Sequence, residues 1–242
     1  MSDVLLKWIG GAGFIIKTDK LTIGIDLYLS NACMDDKGAF KRLAPPLIKP
    51  DELDLDYLLS SHEHGDHLDP GSINSLISKG NSTRLICPAD TKKGAERLGV
   101  DKSRIVELNR GDALDLGDFS VRAVPADHGD QSRDAVGFFL SICGKCIYFT
   151  GDTCFRTDFE EYIGLKEEID VLLVPINGKY GNPDARDAAY FVQMLKPKLT
   201  IPCHFWLFAE HGGDPGDFIE CCNRIAPESK TAVLCIGEKI IL

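Results

Sequence analysis

A chain of 242 residues is long enough to bury one sizeable core, and 44% apolar with 26% charged side chains is an ordinary balance for a globular domain. No apolar run approaches the roughly 20 residues that a bilayer span needs. With 37 acidic against 27 basic side chains, the net charge of −10 disfavours nucleic acid and anionic membrane surfaces as partners.

One domain over residues 1–242 is expected, with a small-molecule substrate as partner and self-association into a homo-oligomer left open. Nine cysteines are too few for a small disulfide scaffold, and the odd count leaves at least one thiol unpaired in the monomer, which fits a reducing cytoplasm. The N-terminal segment has Lys7 inside its apolar stretch and alternates like a strand, unlike a signal peptide.

In chain order, VLLKWI, AGFIIK and KLTIGIDL read as three short strands broken by Gly10-Gly11 and Thr18-Asp19. Residues 31–55 form a polar, Pro- and Lys-rich connection long enough to suggest a functional role, such as covering a site. The strand DYLLSS then leads into a His-rich turn, followed by a helix around Gly71 to Ser78, a strand TRLICP and a helix near Ala89 to Leu98. Strands around Arg104 to Leu108 and Phe119 to Ala126 precede a hairpin, AVGFFLSI and KCIYFTGD, joined across Cys143-Gly144-Lys145. Beyond it come a helix near Cys154 to Leu165, the strand DVLLVPI, the helix DARDAAYFVQMLK, the strand KLTIPCH, a helix from Gly216 and a final strand TAVLCI. Two β-rich, helix-punctuated halves that pack their sheets together would give an α+β fold, a four-layer αββα sandwich.

The strongest chemical signal is Ser61-His62-Glu63-His64-Gly65-Asp66-His67, directly after an apolar strand. Imidazole nitrogen and carboxylate oxygen are ligands shared by zinc, manganese and iron, and a tight turn after a strand can aim several of them at one centre. His128, Asp152 and His204 each stand at a strand end. Singly, each would be an ordinary polar terminal residue; together they would converge on one edge of a layered sheet.

The pattern H-x-H-x-D-H, followed by a further His, an Asp and a last His, resembles the metallo-β-lactamase superfamily. The resemblance implies that His62, His64 and His128 hold one metal, that Asp66, His67 and His204 hold a second, and that Asp152 bridges them. Two divalent ions, zinc or manganese, are the cofactors so implied, with Asp66 and Asp152 as candidate catalytic carboxylates. Two cations roughly 3.5–4 Å apart need a shared anionic ligand and can share a water whose pKa falls toward neutrality, producing a bridging hydroxide nucleophile. The superfamily's oxygen-reducing di-iron branch has a glutamate where this chain has His64, so hydrolysis is favoured over redox chemistry.

The stretches WIGGAGFIIK, DYLLSSHEHGDHLDP, IYFTGDT, DVLLVPINGKYGN and IPCHFWLFAEHGGDP are similar to the ascorbate-6-phosphate lactonase group, whose chains are longer. That similarity implies opening of a lactone or ester in a small anionic, sugar-acid-like substrate. Asn177, Lys179, Arg186 and His211 are the candidate substrate-binding residues. Phosphodiester hydrolysis and a non-catalytic metal-binding role are the alternatives. Cys143-x-x-Cys146 lacks a second pair and reads as hairpin thiols, while Cys154 and Cys203 flank Asp152 and His204 and are candidates for the cavity lining.

Overall fold

The computed structural model describes residues 3–79 and 82–242. The first half builds β1 (Leu5–Gly10), β2 (Gly13–Lys17), β3 (Thr22–Ile25), β4 (Tyr57–Leu59), α1 (Ile73–Lys79), β5 (Arg84–Cys87), α2 (Ala89–Arg97) and β6 (Ile105–Glu107). The second half builds β7 (Ala113–Asp115), β8 (Phe119–Pro125), β9 (Val136–Ile142), β10 (Lys145–Phe149), α3 (Phe159–Ile163), β11 (Val171–Pro175), α4 (Ala185–Leu195), β12 (Leu199–Cys203), α5 (Pro215–Ile225) and β13 (Lys230–Thr231). β14 (Lys239–Ile241) then returns to the first sheet and pairs with β1.

The sheets have strand orders β14-β1-β2-β3-β4-β5-β6 and β13-β12-β11-β10-β9-β8-β7. In each, an antiparallel meander passes into parallel strands, which are connected through helices except at β3–β4, where the 31–55 connection makes the link. Period-two alternation sorts the side chains between layers. Phe14 and Ile16 of β2 enter the core between the sheets, while Ile15 joins Leu76, Ile77 and Leu85 under α1 and α2. On the far side, Phe159, Phe191 and Phe218 of α3, α4 and α5 close over β11, whose five residues are all buried, as expected for a parallel strand covered on both faces. The result is the expected four-layer αββα sandwich.

Three local expectations are corrected. The helix from Cys154 shrinks to α3, because the Cys154 amide donates to the Asp127 carbonyl and the Arg156 guanidinium binds Asp127 and Asp158, fixing 154–158 in a non-helical path. The final strand TAVLCI pairs only over β13, after which the chain crosses to the other sheet. The edge strand β7 and the closing β14 are three residues each and carry too few apolar positions to stand out in the sequence.

Gly151, immediately before Asp152, has φ +65° and passes so close to β9 that an added Cβ would lie 2.5 Å from the Val136 carbonyl oxygen. A side chain here would meet both the left-handed backbone cost of about 1–2 kcal/mol and a backbone clash. Gly151→Ala is therefore expected to destabilise the fold by about 2 kcal/mol or more, read from urea unfolding; wild-type stability would contradict this close approach.

Candidate metal centre

The candidate ligands gather where β4, β8, β10 and β12 end. His62, His67, His128, Asp152 and His204 are buried, while His64 and Asp66 are partly exposed. His62 Nε2 lies 3.0 Å from His64 Nδ1, and His128 Nε2 lies 3.4 Å from the same atom. Opposite them, His67 Nε2 and His204 Nε2 are 3.1 Å apart. Asp66 Oδ2 is 3.4 Å from His204 Nε2 and 3.7 Å from His67 Nε2. Asp152 reaches both groups: Oδ1 is 3.4 Å from His204 Nε2, and Oδ2 is 3.5 Å from His67 Nε2 and 3.9 Å from His128 Nε2.

This donor set fits divalent cations. Imidazole nitrogens 3.0–3.4 Å apart set lone pair against lone pair unless a proton or a cation lies between them. Asp152 Oδ1 is buried without a hydrogen-bond partner, an expensive arrangement for a carboxylate unless it ligates a metal. Three sets of potential ligand atoms each fall within 4.8 Å: His62, His64 and His128; His62, His67 and Asp152; Asp66, His204 and His211.

The electrostatics agree with that fit. Burial drives the His62 imidazole well below its ordinary pKa, with the charge of His67 adding to the effect. Burial alone would raise the Asp66 and Asp152 carboxyls, but the imidazoles of His67 and His204 outweigh it and hold both below the usual carboxylate range. Both acids are thus ionised, as ligands must be. Burial, then His204, lowers His211 to about 3, which leaves its ring neutral and its lone pair free near neutral pH.

Sequence reasoning missed the residues that aim these ligands. Asp26 follows β3 with φ 44° and is fully buried. Its carboxylate accepts hydrogen bonds from the Ser61 amide (2.8 Å) and the Ser61 hydroxyl, and Oδ2 lies 2.7 Å from His67 Nδ1. That contact holds a proton on His67 Nδ1 and turns Nε2 toward the centre, where a bound cation would take the place of its proton. The Ser61 hydroxyl also contacts His62 Nδ1 at 3.0 Å. Asn182 donates from Nδ2 to Asp152 Oδ2 at 2.8 Å and accepts from the Thr153 amide at 3.0 Å. An acid closing the apolar run TIGI was a readable clue to Asp26; nothing local marked Asn182.

The centre opens into a cleft of about 410 Å³. His64, Asp66, His128, Asp152, His204 and His211 line one side; Ala32, Cys33, Phe40, Tyr180 and Phe208 line the other. The connection 31–55 therefore does cover the site, pinned by the Arg42–Phe208 bridge and by the Leu43 amide donating to the Leu207 carbonyl. Of the four candidate substrate residues only His211 lines this cleft. Lys179 donates to the Glu210 carbonyl (2.9 Å) and stays exposed, because Tyr180, in a left-handed conformation between Gly178 and Gly181, takes the inward position. Asn177 and Arg186 border a separate cavity of about 380 Å³ beside Asp184 and Asp214, the caps of α4 and α5. Neither Cys154 nor Cys203 lines the metal cleft, and all nine cysteines are free, Cys143 and Cys146 among them.

Asp26→Asn keeps a residue type that tolerates the left-handed backbone while removing the charge behind His67. Metal affinity is expected to fall about 10–100-fold, measured by competitive chelator titration, with the circular dichroism spectrum preserved. Unchanged affinity would exclude Asp26 from positioning the centre.

The chain matches the family model for the β-lactamase superfamily domain over residues 27–205. A UPF0173 metal-dependent hydrolase of Carboxydothermus hydrogenoformans is 29% identical, the alignment covering 98% of this chain and 99% of the relative. Another, from Pyrococcus abyssi, is 31% identical over 99% of this chain and 100% of its own. A metallo hydrolase from Ignicoccus hospitalis superposes with a TM-score of 0.78 at 22% identity, covering 99% of this chain and 98% of that one, and so shares the fold. Matched along nearly its whole length by such relatives, this protein belongs to the metallo-β-lactamase superfamily and, within it, to the UPF0173 metal-dependent hydrolases.

Proposed function

We propose that this protein hydrolyses a carboxylic ester or lactone of a small molecule at a two-metal centre, with Asp152 shared by the two ions. The position of Asp152, its two oxygens 3.4–3.9 Å from nitrogens of His204, His67 and His128, carries this reading. His62, His64 and His128 would hold one ion and Asp66, His67 and His204 the other. Such a pair, when bound, lowers the pKa of a shared water and polarises the acyl oxygen of the substrate.

The chain's own groups supply the rest. Asn182 holds Asp152 in a fixed orientation, and Asp26 fixes the tautomer of His67. Asp66, whose side chain is 16% exposed, presents an ionised carboxylate at the cleft floor, where it can take a proton from the attacking water and return that proton to the departing alkoxide. Phe40 and Phe208 exclude water from the side of the cleft facing the metals.

Carbon is favoured over phosphorus as the centre attacked. A phosphodiester keeps its negative charge throughout and is usually gripped by Arg or Lys as well as metal, and no Arg or Lys lines this cleft among the described residues. The same composition removes the basis for an anionic substrate held by Lys179 and Arg186.

The test is a turnover screen of protein loaded with zinc or with manganese against neutral lactones, carboxylic esters and phosphodiesters. Turnover of lactones or esters is expected, abolished by chelator and reduced at least 10²-fold in Asp152→Asn, which removes the shared charge with little change of shape. A clear preference for phosphodiesters would overturn the proposed reaction, and near-normal turnover in Asp152→Asn would remove Asp152 from its bridging role.

A further inference from the structure

Beyond the metal-facing side, the cleft is a ring of aromatic side chains. From His204 the rings step outward: His211 at 4.6 Å, Phe208 at 4.8 Å from His211, Phe40 at 5.7 Å from Phe208 in an edge-to-face arrangement, and Tyr180 at 6.0 Å from Phe40. Tyr180 also lies 6.0 Å from His211, closing the circuit. Phe208 is fully buried at the base, whereas Tyr180 is 43% exposed at the mouth. The wall thus runs from a dry interior to solvent, with Ala32 and Cys33 continuing it.

The backbone reports the same arrangement independently. Among the described residues, seven non-glycine positions have positive φ. Cys143 and Lys196 are explained by a hairpin turn and a helix C-terminus. Four of the other five belong to this site: Asp26 behind His67, His204 in the centre, and Phe40 and Tyr180 in the aromatic wall; the fifth, the exposed Trp206 two residues after His204, packs on Phe205. For a bulky aromatic residue this conformation is uncommon and unfavourable, and such outliers concentrate where a site fixes a side chain. Phe40 and Tyr180, both at φ 56°, are held with their rings toward the cleft at that cost.

Charge completes the argument. Among the described residues, Asp66 and Asp152 are the only Asp, Glu, Lys or Arg side chains that line the cleft, and both face the metal side. Among the described residues no Arg or Lys lines the cleft, so an ionised group on the aromatic side would meet only neutral donors, the Tyr180 hydroxyl and the Gln131 amide, and would lose most of its hydration without a counter-charge. Cys33 adds none, since burial raises its thiol to about 11 and keeps it neutral.

We infer that the substrate arm beyond the reacting ester or lactone is uncharged and carries an aryl group, stacked among Phe40, Tyr180 and Phe208. This rests on the hydrolase reading above and names the substrate class for that same site. A phenyl ring matches the spacing of the wall, for aromatic partners settle with centroids about 4.5–7 Å apart in offset or edge-to-face geometry. Phe40, carried on the 31–55 connection, and Tyr180, carried on the turn after β11, are the specificity-determining residues.

Binding and turnover are measured separately. Isothermal titration of the metal-loaded protein uses two uncleaved probes, a phenyl-substituted γ-lactam and the same lactam bearing a phosphate in place of phenyl. The phenyl lactam is expected to bind at least tenfold more tightly than the phosphate lactam, and to weaken about tenfold in Phe40→Ala and in Tyr180→Gly, the latter a change that also relieves the backbone. Metal content, by elemental analysis, should match wild type in both variants. Tighter binding of the phosphate lactam, or unchanged phenyl-lactam binding in both variants, would overturn the inference. The corresponding lactones are then assayed for turnover: binding as expected without turnover would sink the hydrolase reading and leave the aryl site standing, whereas turnover with preference for the phosphate lactone would do the reverse.

Discussion

Five imidazoles and two carboxylates packed at the end of two sheets cannot sit together by their own interactions. Their nitrogens meet at 3.0–3.4 Å, and Asp152 Oδ1 is buried with no hydrogen-bond partner among the described residues. Removing such groups from water costs several kcal/mol per ion unless opposite charge lies between them. The rest of the site follows from the requirement for a cation there: acids held ionised, an imidazole kept neutral in His62, and supports behind both His67 and Asp152.

The fold meets this requirement through strand ends. β4, β8, β10 and β12 belong to two sheets, yet all deliver ligands to one edge, because the sheets face each other across a shared core and their functional ends coincide. The close passage of Gly151 against β9 sets the path into Asp152, and the His204 amide donates to the Gly11 carbonyl, tying the last ligand to the first hairpin. A rigid double sheet thus holds the metal side. The aromatic side is built on connecting segments, 31–55 and the turn after β11, which lie outside the regular sheet pairing that fixes the metal side.

Much of this was legible in the sequence because it is local. The alternation in AGFIIK and the unbroken apolar run DVLLVPI announce their strands, and the density of His62, His64, Asp66 and His67 after an apolar strand announces a metal turn. His128, Asp152 and His204 were readable through their shared place at strand ends. Asn182 was not, because its task depends on a contact with Asp152 thirty positions away. Lys179 and Arg186 lie outside the metal cleft for a related reason: sequence nearness to a site edge does not say which way a side chain turns, and beside Lys179 it is the left-handed Tyr180 that takes the inward place. The aromatic wall was likewise invisible, since Phe40, Tyr180 and Phe208 come from three distant segments.

The central claim is a pair of cations sharing Asp152. Anomalous diffraction from crystals of the manganese-loaded protein tests it most directly. Two peaks about 3.5–4 Å apart are predicted, one against His62, His64 and His128 and the other against Asp66, His67 and His204, with Asp152 touching both. A single fully occupied peak under saturating manganese, or two peaks with Asp152 bound to only one, would contradict the account.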